Sequence, residues 1–246
     1  MILLGLDLET TTFELDKLKI TEIGAVLYDT RFNGPTDIYS VIVDEPDRPP
    51  IEPFVEGLTG ISDDLINSYG VEPQTSIIKI HSLFCRADFI VAHNGDAFDK
   101  PALKLFFERY GYELPNKPWI DTMKDIPYNE YITTRKLEDL CGRHGFLNPF
   151  PHRAFADVMS MFKILSQYDL DEVIKINKSP EVTFQALFNW GCENFNEIKD
   201  KVKAAGFKWN PDTKQWILKI KSYFIDREKY INNSLWDFKY KELIEL

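Results

Sequence analysis

Residues 1–12 read MILLGLDLETTT. Residues 2–8 are apolar apart from Asp7, a run that predicts a buried strand. Asp7 and Glu9 lie two apart, so on a strand both carboxylates leave the same face. An apolar strand is a costly place for two acids unless metal or hydrogen bonds compensate. The run is too short for a membrane span. It has no basic leader and no small-residue cleavage site, so it reads as a first strand and not as a targeting segment.

Working outward, Glu22–Leu27 (EIGAVL) and Ile38–Val43 (IYSVIV) predict two more strands, with a turn at FNGP, 32–35. Short connections between three strands suggest an antiparallel meander. The proline-rich EPDRPPIEP then leads to GISDDLI, where Ser62 suits an N-cap, with Asp63 and Asp64 in the first turn. Apolar spacing predicts a helix over 74–86. Phe89–Ala92 reads as a short buried strand and Asp99–Tyr110 as a helix. Ile120 begins an edge strand. Lys136–His144 is a helix stopped by Gly145, and Ala154–Gln167 is another. The expected fold class is α/β, a mixed sheet with helices on both faces.

The 246 residues are 44% hydrophobic and carry a net charge of -10. That excludes global disorder and a wholesale basic wrapper of nucleic acid, but not a local grip through metal ions. Cys85, Cys141 and Cys192 show no C-x-x-C spacing. They fit reduced thiols in a cytoplasmic protein and suggest neither disulfides nor a zinc site. A boundary is expected in DEVIKINKSPE, giving domains over 1–172 and 180–246. Residues 199–221 hold seven lysines against two aspartates.

Two further stretches carry chemistry. NGDAFD at 94–99 follows a buried strand and opens a helix, which would set Asp99 beside the first strand. Asp99 as a simple N-cap stays open, and Asp96 is a competitor in the turn. PHRAFADV at 151–158 holds His152 and Asp157. An imidazole that titrates near neutrality suits a general base. A loop histidine followed by an acid that stabilises a helix dipole is the open alternative. His81, His93 and His144 lack an equal context.

Taken in order, D-x-E, N-x-x-x-F-D and H-x-x-x-x-D resemble the DEDDh 3′–5′ exonucleases, which include the epsilon proofreading subunits of bacterial replicases. LDLETTT, IVAHNGDAFDKPAL and HRAFADV carry the resemblance, over roughly residues 1–168, and LTGIS at 58–62 resembles the family's linker. Epsilon subunits usually place two residues between the asparagine and phenylalanine, not three. The resemblance implies a ribonuclease H-like, five-stranded mixed sheet and a two-metal mechanism with Mg²⁺ or Mn²⁺. It implies metal ligation by Asp7, Glu9, Asp99 and Asp157, with His152 taking the proton of the attacking water. Thr10 and Thr11 would receive the terminal nucleotide, with Asn94 and Phe98 close to it. The expected activity is release of nucleoside 5′-monophosphates from DNA 3′ ends, in proofreading, repair or degradation. The expected substrate is single-stranded, with a replication or repair protein as partner and no membrane. The setting would be a bacterial cytoplasm or a phage-infected host. An exoribonuclease of the same fold is the alternative, and a catalytically inactive nucleic-acid binder ranks below it.

After residue 180 the sequence predicts a small α+β module. A helix ends at Gly206, and two strands flank the turn N-P-D-T. Trp209 and Trp216 beside that turn read as a small core, or as platforms for single-stranded bases.

Overall fold

A computed structural model describes residues 1–188, 191 and 194–243. The chain runs β1 (Ile2–Thr10), β2 (Ile20–Asp29), β3 (Gly34–Ile42), α1 (Pro53–Thr59), α2 (Asp63–Tyr69), α3 (Pro73–Arg86), β4 (Phe89–Ala92), α4 (Asp99–Arg109) and β5 (Trp119–Asp121). It continues through α5 (Leu137–Arg143), α6 (Ala154–Leu165), α7 (Leu170–Lys178), β6 (Glu181–Ala186), α8 (Phe195–Ala204), β7 (Lys208–Asn210), β8 (Gln215–Lys221), α9 (Arg227–Ile231) and β9 (Tyr240–Leu243). Two compact units divide after Ile174. Among the described residues no helix is long and apolar enough to cross a membrane.

The first unit holds a five-stranded sheet in the order β3-β2-β1-β4-β5. β1 and β3 pair antiparallel with β2, which is the expected meander. β4 joins β1 in parallel and β5 joins β4 in parallel at the edge. The two-residue period of β1 divides the core. Leu4, Leu6 and Leu8 pack with Ile80, Phe84 and Phe106 of α3 and α4 on one face. Leu3 packs with Val158, Met161 and Phe162 of α6 on the other. Asp7 and Glu9 share the parity of Leu3 and therefore the α6 face.

Two glycines let α6 lie close on that face. A Cβ on Gly5 would come within 2.4 Å of the Phe162 ring and 2.6 Å of Val158. A Cβ on Gly24 would meet the backbone of Ala154 at 2.4 Å. Gly24 is the ladder partner of Asp7, so the start of α6 is brought against the acidic end of β1. Ser62 caps α2 by accepting from the Leu65 amide at 3.1 Å.

The second unit is richer than the expected helix and hairpin. Its sheet has four strands in the order β7-β8-β6-β9. β6 and β9 went unread in the sequence, although Val182, Phe184 and Ala186 alternate with polar residues in EVTFQA. Phe184, Val202 and Phe207 are buried at its centre, with Trp236 5.1 Å from both phenylalanine rings. Trp209 and Trp216 are register partners across β7 and β8, 5.7 Å apart. Trp209 is 37% exposed. Cys85 is exposed and Cys141 buried, and both are free thiols. Cys192 lies outside the described residues.

Candidate active site

β1 ends in a register shift between Glu9 and Thr10, which breaks the ladder just after the two acids. Asp7 and Glu9 are half-buried on the α6 face. Asp157 stands in the first turn of α6. Among the described residues, ligand atoms of Glu9, His152 and Asp157 lie within 4.8 Å of one another. Asp7 and Asp99 are outside that triad, but the Asp7 carboxyl feels the charges of Asp99, Glu9 and Asp157.

Asp99 opens α4 and is 3% exposed. Phe98, not Asp99, occupies the N-cap position. Oδ1 of Asp99 is buried with no hydrogen-bond partner. A buried carboxylate oxygen left without a partner is costly, and a cation would offset that cost.

The protonation of these acids reflects the same crowding. Burial, then Asp99 and the other acids, holds Asp7 well above the usual carboxylate range. Burial, then Asp157 and Glu22, pushes Glu9 up to about 8. Burial raises Asp99 to about 7, partly offset by backbone amides, with Asp121 adding to the rise. Asp157 rises to about 6 through burial, partly offset by hydrogen bonds from Asn148 and the charge of His152. Desolvation and like-charge proximity act in one direction here. Carboxylate oxygens from four residues, one of them orphaned and buried, suit a hard divalent cation.

His152 sits at φ 59, in the left-handed region. Its amide donates to Oδ2 of Asp157 at 3.1 Å, and its Nε2 lies 3.6 Å from Glu138. Asn148 donates its side-chain amide to Oδ1 of Asp157. The loop that carries His152 is therefore tied to α6 through the carboxylate of Asp157.

The 94–99 turn separates its two acids. Asp121, on β5, accepts the amide of Asn94 at 3.0 Å and that of Asp96 at 3.4 Å. Asp96 thereby faces solvent, with its carboxylate 3.3 Å from Lys124. The Asn94 side chain is exposed as well. Phe98 lies 5.9 Å from the ring of Phe13, which is 73% exposed. Thr10 and Thr11 are buried, and their side chains serve the local backbone. The Thr10 hydroxyl donates to the Thr12 carbonyl at 2.8 Å, and that of Thr11 accepts from Lys19 N–H at 3.1 Å. His93 is a satisfied structural histidine between Thr122 and the Arg135 carbonyl.

Glu22, Arg153 and Asn148 were missed in the sequence. Glu22 was legible as a lone acid inside an apolar strand, and it is 2% exposed. Arg153 stands beside His152 but binds 131 positions away, a pairing no local pattern signals.

The family model described as Exonuclease matches residues 4–165. The chain is 27% identical over 217 residues to a protein named DNA polymerase III PolC-type from Ureaplasma parvum serovar 3, a match covering 86% of this chain and 13% of the relative. A protein of the same name from Latilactobacillus sakei is 26% identical, covering 82% and 12%. The chain thus spans about an eighth of the length of these curated relatives. Among solved structures, E. coli exonuclease I in complex with a dA16 oligonucleotide superposes with a TM-score of 0.60 at 17% identity, covering 76% of this chain and 48% of that one. A product-bound structure of exonuclease I gives 0.61 at 17% identity, covering 76% and 51%. These likenesses show that the chain shares the fold of about half of exonuclease I.

Proposed function

Because the chain belongs to this exonuclease family, we propose that it removes nucleotides one at a time from DNA 3′ ends, releasing nucleoside 5′-monophosphates. The observation that carries the reading is the orphaned Oδ1 of Asp99 in a cluster of acids that burial holds partly protonated. Asp7, Glu9, Asp99 and Asp157 would hold Mg²⁺ or Mn²⁺, as two ions by the family resemblance. Cations bound there would polarise the scissile phosphate and stabilise the leaving oxygen.

The side chains supply the rest. His152 accepts a proton from water as that oxygen bonds to phosphorus, and the bond from phosphorus to the 3′ oxygen breaks. The 3′ oxygen leaves with the bonding electron pair and takes a proton from solvent, so the shortened strand ends in a new 3′-hydroxyl. Backbone groups at Thr10 and Thr11 and the Phe98 ring, with exposed Phe13 beside it, would receive the terminal nucleotide. Thr and Phe contacts are sequence-tolerant, which suits a nuclease that must accept every base. DNA is favoured because the curated relatives are DNA polymerases and the solved complex holds a deoxyoligonucleotide.

The second unit is proposed to add grip on the strand. Residues 175–246 hold 13 Lys and Arg against 10 Asp and Glu, whereas the whole chain is strongly acidic. Trp209, Trp216 and Phe238 line a cavity of about 750 Å³ together with Lys214 and Lys239. Aromatic faces between cations suit stacked single-stranded bases. The role proposed with it is a cytoplasmic one beside replication or repair proteins, which the resemblance to DNA polymerase III PolC-type proteins supports.

The test is incubation with end-labelled single-stranded DNA and RNA of one sequence, with Mg²⁺, Mn²⁺ or EDTA. Metal-dependent laddering of DNA from the 3′ end is expected, with Asp7→Ala inactive and His152→Ala greatly slowed but still measurable. Activity in EDTA, or full activity of Asp7→Ala, overturns the reading. Faster loss of RNA selects the exoribonuclease alternative.

A further inference from the structure

We infer that the ion pair between Arg153 and Glu22 positions His152 for proton transfer, so that Arg153 acts on the reaction through its neighbour. The inference rests on the reading of His152 as the base.

Glu22 lies inside β2, with its side chain only 3% exposed. A buried carboxylate needs a counter-charge and filled hydrogen-bond sites. Arg153 supplies both. Its Nε lies 3.2 and 3.1 Å from the two Glu22 oxygens, and its Nη2 lies 2.9 Å from Oε1. The amide of Ala154, the first residue of α6, donates to Oε2 at 3.0 Å. One carboxylate of β2 therefore holds both Arg153 and the start of α6. It also faces the positive end of the helix dipole.

This clamp fixes the backbone next to His152. A guanidinium engaged through two nitrogens permits little rotation about the contact. The start of α6 has little slack toward the sheet, because even a Cβ on Gly24 would come within 2.4 Å of the Ala154 backbone. On its other side, His152 is tied through its amide to Asp157. A non-glycine residue at φ 59 persists only where its surroundings over-determine it, and these contacts do so. Glu22 is also the ladder partner of Glu9. The strand pair that places Glu9 thus also sets the height of His152 above it.

A clamp that merely stabilised α6 would act on folding and not through the imidazole. A mutant cycle separates the two roles. Steady-state 3′-end hydrolysis is measured for wild type, Arg153→Ala, His152→Ala and the double variant, with thermal unfolding of each. Arg153→Ala is expected to lower kcat about 10–100-fold, with KM within about 2-fold. In the His152→Ala background the same change should lower kcat by less than about 2-fold, because the group it positions is gone. Arg153→Lys should give an intermediate rate, since an ammonium reaches Glu22 without the two-nitrogen fork. If Arg153→Ala does not fold, the near-isosteric Glu22→Gln enters the same cycle with the same expectation. Full additivity in the double variant, a rise in KM exceeding the fall in kcat, or an unchanged rate in a folded Arg153→Ala overturns the inference. Wild-type activity in His152→Ala removes the base assignment and this inference together. An inactive His152→Ala with a full-rate Arg153→Ala removes this inference alone.

Discussion

Glu9 and Glu22 stand directly across from each other in the antiparallel ladder of β1 and β2, yet they carry opposite partners. Glu22 is closed off by Arg153 and the Ala154 amide. Glu9 is left facing Asp157 and His152. Like charges opposed across a ladder destabilise a sheet, and one of this pair is neutralised by the protein itself. The other remains free for a cation.

The first prediction concerns pH and stability without divalent cations. Glu9, Asp99 and Asp157 have folded-state values raised to about 8, 7 and 6, above their ordinary values. The folded state therefore binds more protons than the unfolded one between roughly pH 4 and 8, and stability falls as pH rises through that window. Thermal unfolding in EDTA should show a melting temperature that declines from pH 5 to pH 8. Mn²⁺ should restore more stability at pH 8 than at pH 5. A cation effect that does not depend on pH would count against carboxylate ligation at this cluster.

Removing one acid should separate stability from activity. At pH 9 Glu9 is ionised in the cation-free fold, since its value is about 8. Glu9→Gln removes that charge and should raise the melting temperature in EDTA by about 2–4 °C. The same variant should lose about 100-fold or more in nuclease rate. A destabilised E9Q protein would mean that the glutamate is held by favourable contacts and not by repulsion.

The two acids of the 94–99 turn should behave unlike each other. Asp96→Ala removes an exposed pair with Lys124, a contact of little energetic weight, and should keep the rate within about 2-fold. Asp99→Asn alters the buried, partnerless carboxylate and should lower the rate about 100-fold or more. The comparison is made by Mn²⁺-dependent release of the 3′-terminal nucleotide. A reversal of the two outcomes would reassign the third ligand to Asp96.

Gly24→Ala tests the close approach of α6. The new Cβ would lie 2.4 Å from the Ala154 backbone, so helix and strand must part. Overpacking of this kind costs about 1–3 kcal/mol. Denaturant unfolding should show that loss, together with a fall in kcat as Asp157 and His152 move away from Glu9.

Trp209→Ala with Lys214→Ala tests the second unit. Binding of a long single strand should weaken and its salt dependence should become shallower. Hydrolysis of a dinucleotide should not change. Equal weakening on both substrates would remove the grip as the explanation.

Part of this arrangement was legible in residues 1–12. Strand periodicity alone puts Asp7 and Glu9 on one face, because alternate side chains of a strand share a side. The apolar runs around Asp99 and Asp157 likewise announced the elements that carry them, and motif order announced the family. Local pattern ranked Asp99 above Asp96, through the Phe98-Asp99 pairing, but did not show how the turn separates them. That separation comes from Asp121, on β5, which ties the turn by its backbone amides, with Asp96 outward and Asp99 buried. Nor could it reveal β9, whose hydrogen-bonding partner β6 lies far away in the chain.

The sequence by itself determined which residues are acids, which face of β1 they take and what chemistry such a set can support. Tertiary structure alone decided which acids meet, which one Arg153 closes off and how near α6 comes at Gly5 and Gly24. Periodicity is a property of neighbouring residues, whereas convergence and neutralisation depend on the register of strands and the packing of helices across long stretches of chain.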